Sequence, residues 1–383
     1  MDTLYVKILR SADSLKLVTS DDTIQIESTS PDKFNHDRCD FAAWLFMPIA
    51  MKRGMNIHIE GTGSKTTIRN ARRMSEIWES WFPERFNTVE VSFQNTCHAY
   101  EKPESLADRD LCFYSGGVDS TYAILRRFQE GKSQSLLTIH GMDYGVEEEK
   151  CFLELIRKTS PFAGLVGHER LIVRTNVYDA YAKYKINIGR EGHLTHIFAL
   201  AGAGFLHSEH FRNLVVASDH RLDQQFSRFP YGSNLATNPL FCDGETYLLT
   251  ESSDASRTER IPLLSSSREA LASLTFCTNP AKKPDNCGQC KKCIRTKLMF
   301  LAATGEVPDI FIDRAIPENW PDQIDPAIKK DRLFLIDLIL YARRNGTLDK
   351  IPQATQIYVP LKEGRLGKNR LPRIIDSMKK RFS

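Results

Sequence analysis

Residues Leu111–Arg127 read LCFYSGGVDSTYAILRR, and their reading decides the fold. The apolar run Leu111-Cys112-Phe113-Tyr114 predicts a buried strand, and Tyr122, Ile124, Leu125 and Phe128 follow at helical spacing. Between them lies Ser115-Gly116-Gly117-Val118-Asp119-Ser120. Two glycines let the backbone turn without Cβ clashes, so N–H groups can face into the bend. The hydroxyls of Ser115, Ser120 and Thr121 add donors, and the helix that starts here adds its positive end. Strand, glycine turn and helix together make an anion cradle of phosphate size, and the pattern points to nucleotide binding.

Downstream the chain alternates between strand and helix patterns. Leu136–Ile139 reads as a buried strand ending in His140-Gly141-Met142-Asp143-Tyr144-Gly145. That loop falls one βα unit after the cradle, where a base or ribose would rest, so His140, Gly141 and Met142 are nucleotide-contact candidates. A helix is expected over 147–158, a strand over 169–174, a long small-residue helix over 192–207 and a strand over 213–217. This alternation predicts an α/β fold with a doubly wound parallel sheet and ligand at the carboxyl ends of its strands. The polar and aromatic loop Ser218–Asn238 should then read substrate, with Asp219, His220, Arg221 and Arg228 as candidates.

Upstream, Leu4-Val6-Ile8, Leu15-Leu17 and Ile24-Ile26 alternate as strands of a small meander. Helices are expected over 41–51 and 66–81, a short strand over 56–59 and an edge-like strand over 88–93. We read 1–104 as an additional N-terminal α+β domain of unknown role, 105–265 as the nucleotide-binding domain, 266–305 as a metal-binding segment and 306–383 as a helical and basic C-terminal region. No catalytic constellation is visible in the first of these.

Cys277 is followed, after nine residues, by Cys287, Cys290 and Cys293 in a C-x2-C-x2-C run with Gly288 in its knuckle. This is tetrahedral thiolate spacing, typical of structural zinc, with an iron–sulfur cluster as the alternative. A closed four-thiolate site leaves no position for a reacting water, so the metal is expected to staple the chain rather than to catalyse.

The composition is that of a globular chain: 383 residues, 41% hydrophobic, 26% charged, net charge +4. The near balance of charge does not by itself call for nucleic acid, and no apolar run reaches the length of a membrane span. The N-terminus lacks the apolar stretch of a signal peptide, and four of nine cysteines sit in one cluster, so a reducing cytoplasm is expected. The tail from Ile351 is rich in Lys and Arg without interleaved aromatics, and reads as a solvated end more readily than as a nucleic-acid contact.

SGGVDS resembles the pyrophosphate loop of the N-type ATP pyrophosphatases, which cut ATP between the α and β phosphates and place AMP on a substrate oxygen. Together with the cysteine run it resembles the 7-cyano-7-deazaguanine synthase family, over roughly Leu111–Phe300. Those enzymes turn a 7-carboxy-7-deazaguanine into a nitrile with ATP and ammonia. Asp143-Tyr144-Gly145 is similar to a tract of that family and makes Tyr144 a substrate candidate, and Gly189-Arg190 lies where the family has a turn before its long helix. Where the family carries Tyr-Pro-Asp-Cys-Arg to read the deazaguanine, this chain has Phe229-Pro230-Tyr231-Gly232-Ser233-Asn234. The first hundred residues and the last eighty have no counterpart in the minimal enzyme. The pattern is closer to the enlarged relatives of that synthase, some of which belong to bacterial antiphage operons.

The resemblance implies a fold of the adenine nucleotide α-hydrolase (HUP) kind, with ATP, Mg²⁺ and structural Zn²⁺. It implies that Ser115, Gly116, Gly117, Val118 and Ser120 hold the pyrophosphate, and that Asp119 holds Mg²⁺ or ties the loop together. Arg190 is the candidate for neutralising the α-phosphate. The expected reaction is adenylation of a carboxylate or amide-type substrate, a deazapurine derivative, followed by attack of an amine donor. Two alternatives stand beside it: base modification of tRNA or DNA, and a non-catalytic ATP-bound subunit of a defence complex docked through the N-terminal region.

Overall fold

The computed structural model describes residues 2–35, 37–98, 108–186, 194–354 and 357. Its spine is a ten-stranded, mostly parallel sheet. In chain order the strands are β1 (Thr3–Arg10), β2 (Ser14–Val18), β3 (Thr23–Ser28), β4 (Asn56–Ser64), β5 (Val91–Cys97), β6 (Asp110–Phe113), β7 (Gln134–His140), β8 (Arg170–Thr175), β9 (Leu214–Ala217) and β10 (Leu248–Glu251). Their spatial order is β10-β9-β6-β7-β8-β3-β2-β1-β4-β5.

From β6 the chain winds outward through β7 to β8, then returns to the other side of β6 for β9 and β10, all in parallel. The direction of winding therefore reverses between β6 and β9. In an open α/β sheet a ligand crevice lies at such a reversal, outside the carboxyl ends of the strands. Ser115–Ser120 follows β6 there, and Ser218-Asp219-His220 follows β9.

The central strands β6, β7 and β9 are buried on both faces, which explains their apolar runs, while β8 and the edge strand β10 are partly open. Leu111, Phe113, Leu137, Leu214 and Val216 face one hydrophobic cluster, while Cys112, Tyr114, Leu136 and Val215 face the other. The first cluster lies under helices Asp40–Arg53, Lys65–Trp81 and His196–Phe205. The second lies under Val118–Gln129, Glu149–Val166, Lys291–Thr304 and Lys329–Asn345.

The N-terminal meander joins the same sheet. β3 runs antiparallel to β8, pairing Ile26 with Thr175 and Ser28 with Val173, so the sheet is continuous across the expected 104/105 boundary. Helix Asp40–Arg53 is buried from Asp40 to Met51, as expected for a helix apolar all round, and it packs on His196–Phe205. Trp44 and Trp78 lie fully inside.

Several expected bounds shift. The short strand expected over 56–59 runs on to Ser64, and the edge strand starts at Val91. The long helix expected over 192–207 runs over His196–Phe205; residues 192 and 193 lie outside the described residues, and Leu194 and Thr195 precede the helix. The supposed loop Ser218–Asn238 contains a helix, Leu222–Arg228. β10 is an additional edge strand. No helix among the described residues is long and apolar enough to cross a membrane.

Candidate functional site

The turn after β6 depends on Gly116. Its φ is +75°, a conformation that favours glycine, and a Cβ there would sit 2.6 Å from Thr275 Cγ2. Gly117 caps helix Val118–Gln129. Ser115 and Ser120 converge, with their hydroxyls 3.2 Å apart, and Ser115 Oγ accepts from the Gly117 N–H at 3.3 Å. Ser115 is exposed, so this hydroxyl-lined turn opens to solvent at the switch point.

Asp119, in the first turn of the helix, is gripped by arginines from the segment after β10. Arg257 reaches it in a fork, Nε at 3.0 Å and Nη2 at 2.6 Å from Oδ2, and Arg260 Nη1 donates to Oδ1. Arg260 is fully buried and is anchored further by the carbonyls of Ser252 and Ala255. Arg257 Nη2 also lies 3.3 Å from Asp219 Oδ1, and Tyr231 donates its hydroxyl to Asp219 Oδ2. A continuous chain thus joins the Ser115–Ser120 turn to the loop after β9: Asp119, Arg257, Asp219, Tyr231.

Charge in this chain is held firmly. Burial opposes ionisation of Asp219, yet the Arg257 guanidinium, His196, His220 and the Tyr231 hydroxyl together hold its carboxyl far below the usual range. Burial, then the Arg257 charge, push His220 down to about 3, so it is neutral near pH 7. Rings of His196 and His220 lie 6.0 Å and 6.2 Å from Tyr231, and Arg228 Cζ lies 5.0 Å over the same ring.

The other expected residues fall as follows. His140 is buried, stacked on Phe152 at 4.2 Å, with Nε2 2.8 Å from the Gly145 carbonyl oxygen. The Gly141 N–H closes that loop onto the Tyr144 carbonyl at 2.9 Å, and Met142 packs at the edge of the first cluster. These residues end the strand beside β6, so their backbone lies on the same edge of the sheet as the cradle. Tyr144 is buried beneath Lys283, whose Nζ is 4.5 Å from its ring. Arg221 is spent elsewhere, forked between Asp223 and Glu259 at 2.7–3.1 Å. Gly189, Arg190 and the basic residues from Lys362 onward lie outside the described residues.

The four cysteines come together. All sulfurs lie within 4.8 Å of one another, with Cys277 and Cys290 at 4.0 Å and Cys287 and Cys293 at 3.9 Å. Four thiolates about 2.3 Å from a zinc ion stand roughly 3.8 Å apart, so this set can hold a metal such as zinc. Gly288, at φ +79°, forms the knuckle, where a Cβ would overlap the Asp313 carbonyl oxygen. N–H groups of Gln289 and Cys290 donate to Cys287 Sγ at 3.3 Å, and Cys290 caps helix Lys291–Thr304. The cluster is wired to the cradle: Thr275, two residues before Cys277, donates its N–H to Gly116 O at 2.8 Å.

Arg257, Arg260 and Tyr231 were not singled out in the sequence. The run Asp254-Ala255-Ser256-Arg257-Thr258-Glu259-Arg260 has the mixed charge of a solvated surface. Only the distant carboxylates that meet it give it a role. No protein-family model, no curated protein and no solved structure matches this chain.

Proposed function

We propose that the chain is an ATP-dependent ligase or synthase that forms AMP and pyrophosphate, adenylating a carboxylate or amide-type substrate of the 7-deazaguanine kind for attack by an amine. One observation carries the reading: a glycine-wedged, hydroxyl-lined turn stands open at the switch point of the sheet, with an arginine bridge leading from it to the next loop. The resemblance supplies the chemistry, and the enlarged relatives make a bacterial defence or modification system the natural setting.

In this proposal the N–H groups of Gly116, Gly117 and Val118, with the Ser115 and Ser120 hydroxyls, hold the pyrophosphate leaving group. Asp119 is engaged by Arg257 and Arg260, so it fixes the loop, and Mg²⁺ is left to the phosphates of ATP. Arg257 stands between the two loops, placed to offset negative charge that develops as the substrate oxygen is adenylated. Neutral His220 and ionised Asp219 line the acceptor side. Adenylyl transfer relies mainly on position and charge, so no nucleophilic side chain is required. Zinc, bound by Cys277, Cys287, Cys290 and Cys293, would supply a cross-link that holds Thr275 against Gly116.

The test is incubation of the protein with Mg·ATP, a panel of deazapurine acids and ammonia. AMP and pyrophosphate should accumulate in equal amounts with at least one acid, and Arg257→Gln should slow that turnover by roughly a hundredfold or more. Release of ADP and phosphate in place of AMP, or no cleavage with any acid, overturns the reading.

A further inference from the structure

The mouth of the site carries more positive charge than its carboxylates balance. Asp119 is taken by Arg257 and Arg260, and Asp219 by Arg257 and Tyr231. A third carboxylate, Asp331, is shared between Lys291 and Arg295, the latter at 3.7 Å, while Glu259 and Asp223 are taken by Arg221. Among the described residues, neither Arg228 nor Lys330 forms an ion pair. Arg228 Nε is buried without a hydrogen-bond partner.

These cations come from three helices, two of which pack on the third. Helix Leu222–Arg228 packs on helix Lys329–Asn345, and Lys291–Thr304 packs on the same helix. Arg295 Cζ lies 4.3 Å over the Phe334 ring. Arg228 lies over Tyr231, whose hydroxyl holds Asp219, so the group adjoins the chain leading back to the cradle. Lys330 is exposed; partial desolvation lowers its ammonium from the ordinary value, and Arg295, Lys291 and Arg228 add to that, as expected where like charges crowd.

We infer that Arg228, Arg295 and Lys330 form a second anion subsite beside the Ser115–Ser120 loop, which holds a phosphoryl group carried by the acceptor substrate. This rests on the nucleotide reading of the loop. A carboxylate is a monoanion that one guanidinium fork satisfies, whereas a phosphoryl dianion calls for more than one cation, here two guanidinium groups and an ammonium offered by two helices and the helix on which both pack. Phe226, 72% exposed on the same short helix and 6.2 Å from the Phe229 ring, offers an apolar surface for a base next to that phosphate. A free mononucleotide and the 5′ end of a single strand share this chemistry.

The experiment is a calorimetric titration of cytidine 5′-monophosphate into full-length, zinc-loaded protein saturated with α,β-methylene-ATP. Cytidine serves as a second titrant, and 5′-phosphorylated and 5′-hydroxyl oligonucleotides serve as further arms. The monophosphate should bind and the nucleoside should not. Arg228→Gln/Lys330→Gln should weaken it at least about tenfold while the ATP analogue keeps its affinity within about twofold. Unchanged monophosphate binding in the double variant, or equal loss of both ligands, overturns the second subsite. Tight binding of the phosphorylated oligonucleotide alone assigns the phosphoryl group to a strand. If the ATP analogue does not bind wild-type protein, the nucleotide reading fails; the same titration without analogue then decides the subsite by the same tenfold criterion. A zinc content and melting curve equal to wild type establish that the variant is folded.

Discussion

Two of the turns that depend on a glycine at positive φ, those at Gly116 and Gly288, end in opposite ways. At Gly116 the chain bends under Thr275 and presents hydroxyls to solvent. At Gly288 it bends under the Asp313 carbonyl and gathers four sulfurs inward. The first turn leaves donors available for an anion. The second uses its N–H groups on its own cysteines. The contrast shows how one backbone device opens a turn to solvent in one place and closes a four-sulfur cluster in another, according to what the flanking side chains leave unsatisfied. The two are also coupled, since the segment leading into Cys277 supplies the hydrogen bond and the methyl group that pin Gly116.

If the cysteine turn is the staple, breaking it should have the largest effect. Cys290→Ser, or chelation of the metal, removes a binding energy on the order of 10 kcal/mol, the scale of a structural zinc site. That is comparable to the whole stability of a typical domain, so the segment from Cys277 to the end of helix Lys291–Thr304 should lose its fold. Metal analysis should give about one zinc per wild-type chain, and limited proteolysis should cut the variant within this segment. A variant that lacks metal yet melts like wild type would break the comparison.

Gly116→Ala tests the other turn and should cost less. A non-glycine residue at φ +75° costs about 1–3 kcal/mol, to which the approach of Thr275 Cγ2 adds. The protein should therefore fold with its zinc, melt a few degrees lower, and lose affinity for an ATP analogue. Thermal melting and analogue titration on one preparation separate the two turns. Parallel loss of zinc would mean that the coupling through Thr275 is stronger than the hydrogen bond suggests.

The sequence made one half of the molecule easier to read than the other. Strands buried on both faces, such as Leu111–Phe113 and Leu214–Ala217, announce themselves as apolar runs, and SGGVDS and the cysteine spacing are local patterns. The pairing of Ile26 with Thr175 is not local. β1 to β3 alternate because one face meets the core while Tyr5 and Leu9 stay exposed, and alternation does not say which strand lies next door. Charged residues were harder still. Arg221 and Arg228 sit on the same short helix and its cap, and only the fold shows that one is spent on Glu259 and Asp223 while the other reaches Tyr231. Arg257 acquires its place from Asp119, 138 positions away.

The effect that is smallest at neutral pH concerns acid stability around His220. In the folded chain His220 is held down to about 3 by burial and by the Arg257 charge, whereas an unfolded histidine titrates near 6.5. Below that value the unfolded chain takes up a proton that the folded site refuses. Stability should therefore fall as the pH drops through about 6.5, and this histidine's share should level off below about 3. His220→Gln removes that share, with a limiting slope of about 1.4 kcal/mol per pH unit. His207, fully buried and held down to about 4, acts in the same direction, so the variant should flatten the profile without abolishing its slope. Denaturant midpoints measured between pH 4 and pH 7 read the difference. A profile for His220→Gln that is parallel to wild type would mean that His220 opens to water, and with it the acceptor side that its neutrality was taken to define.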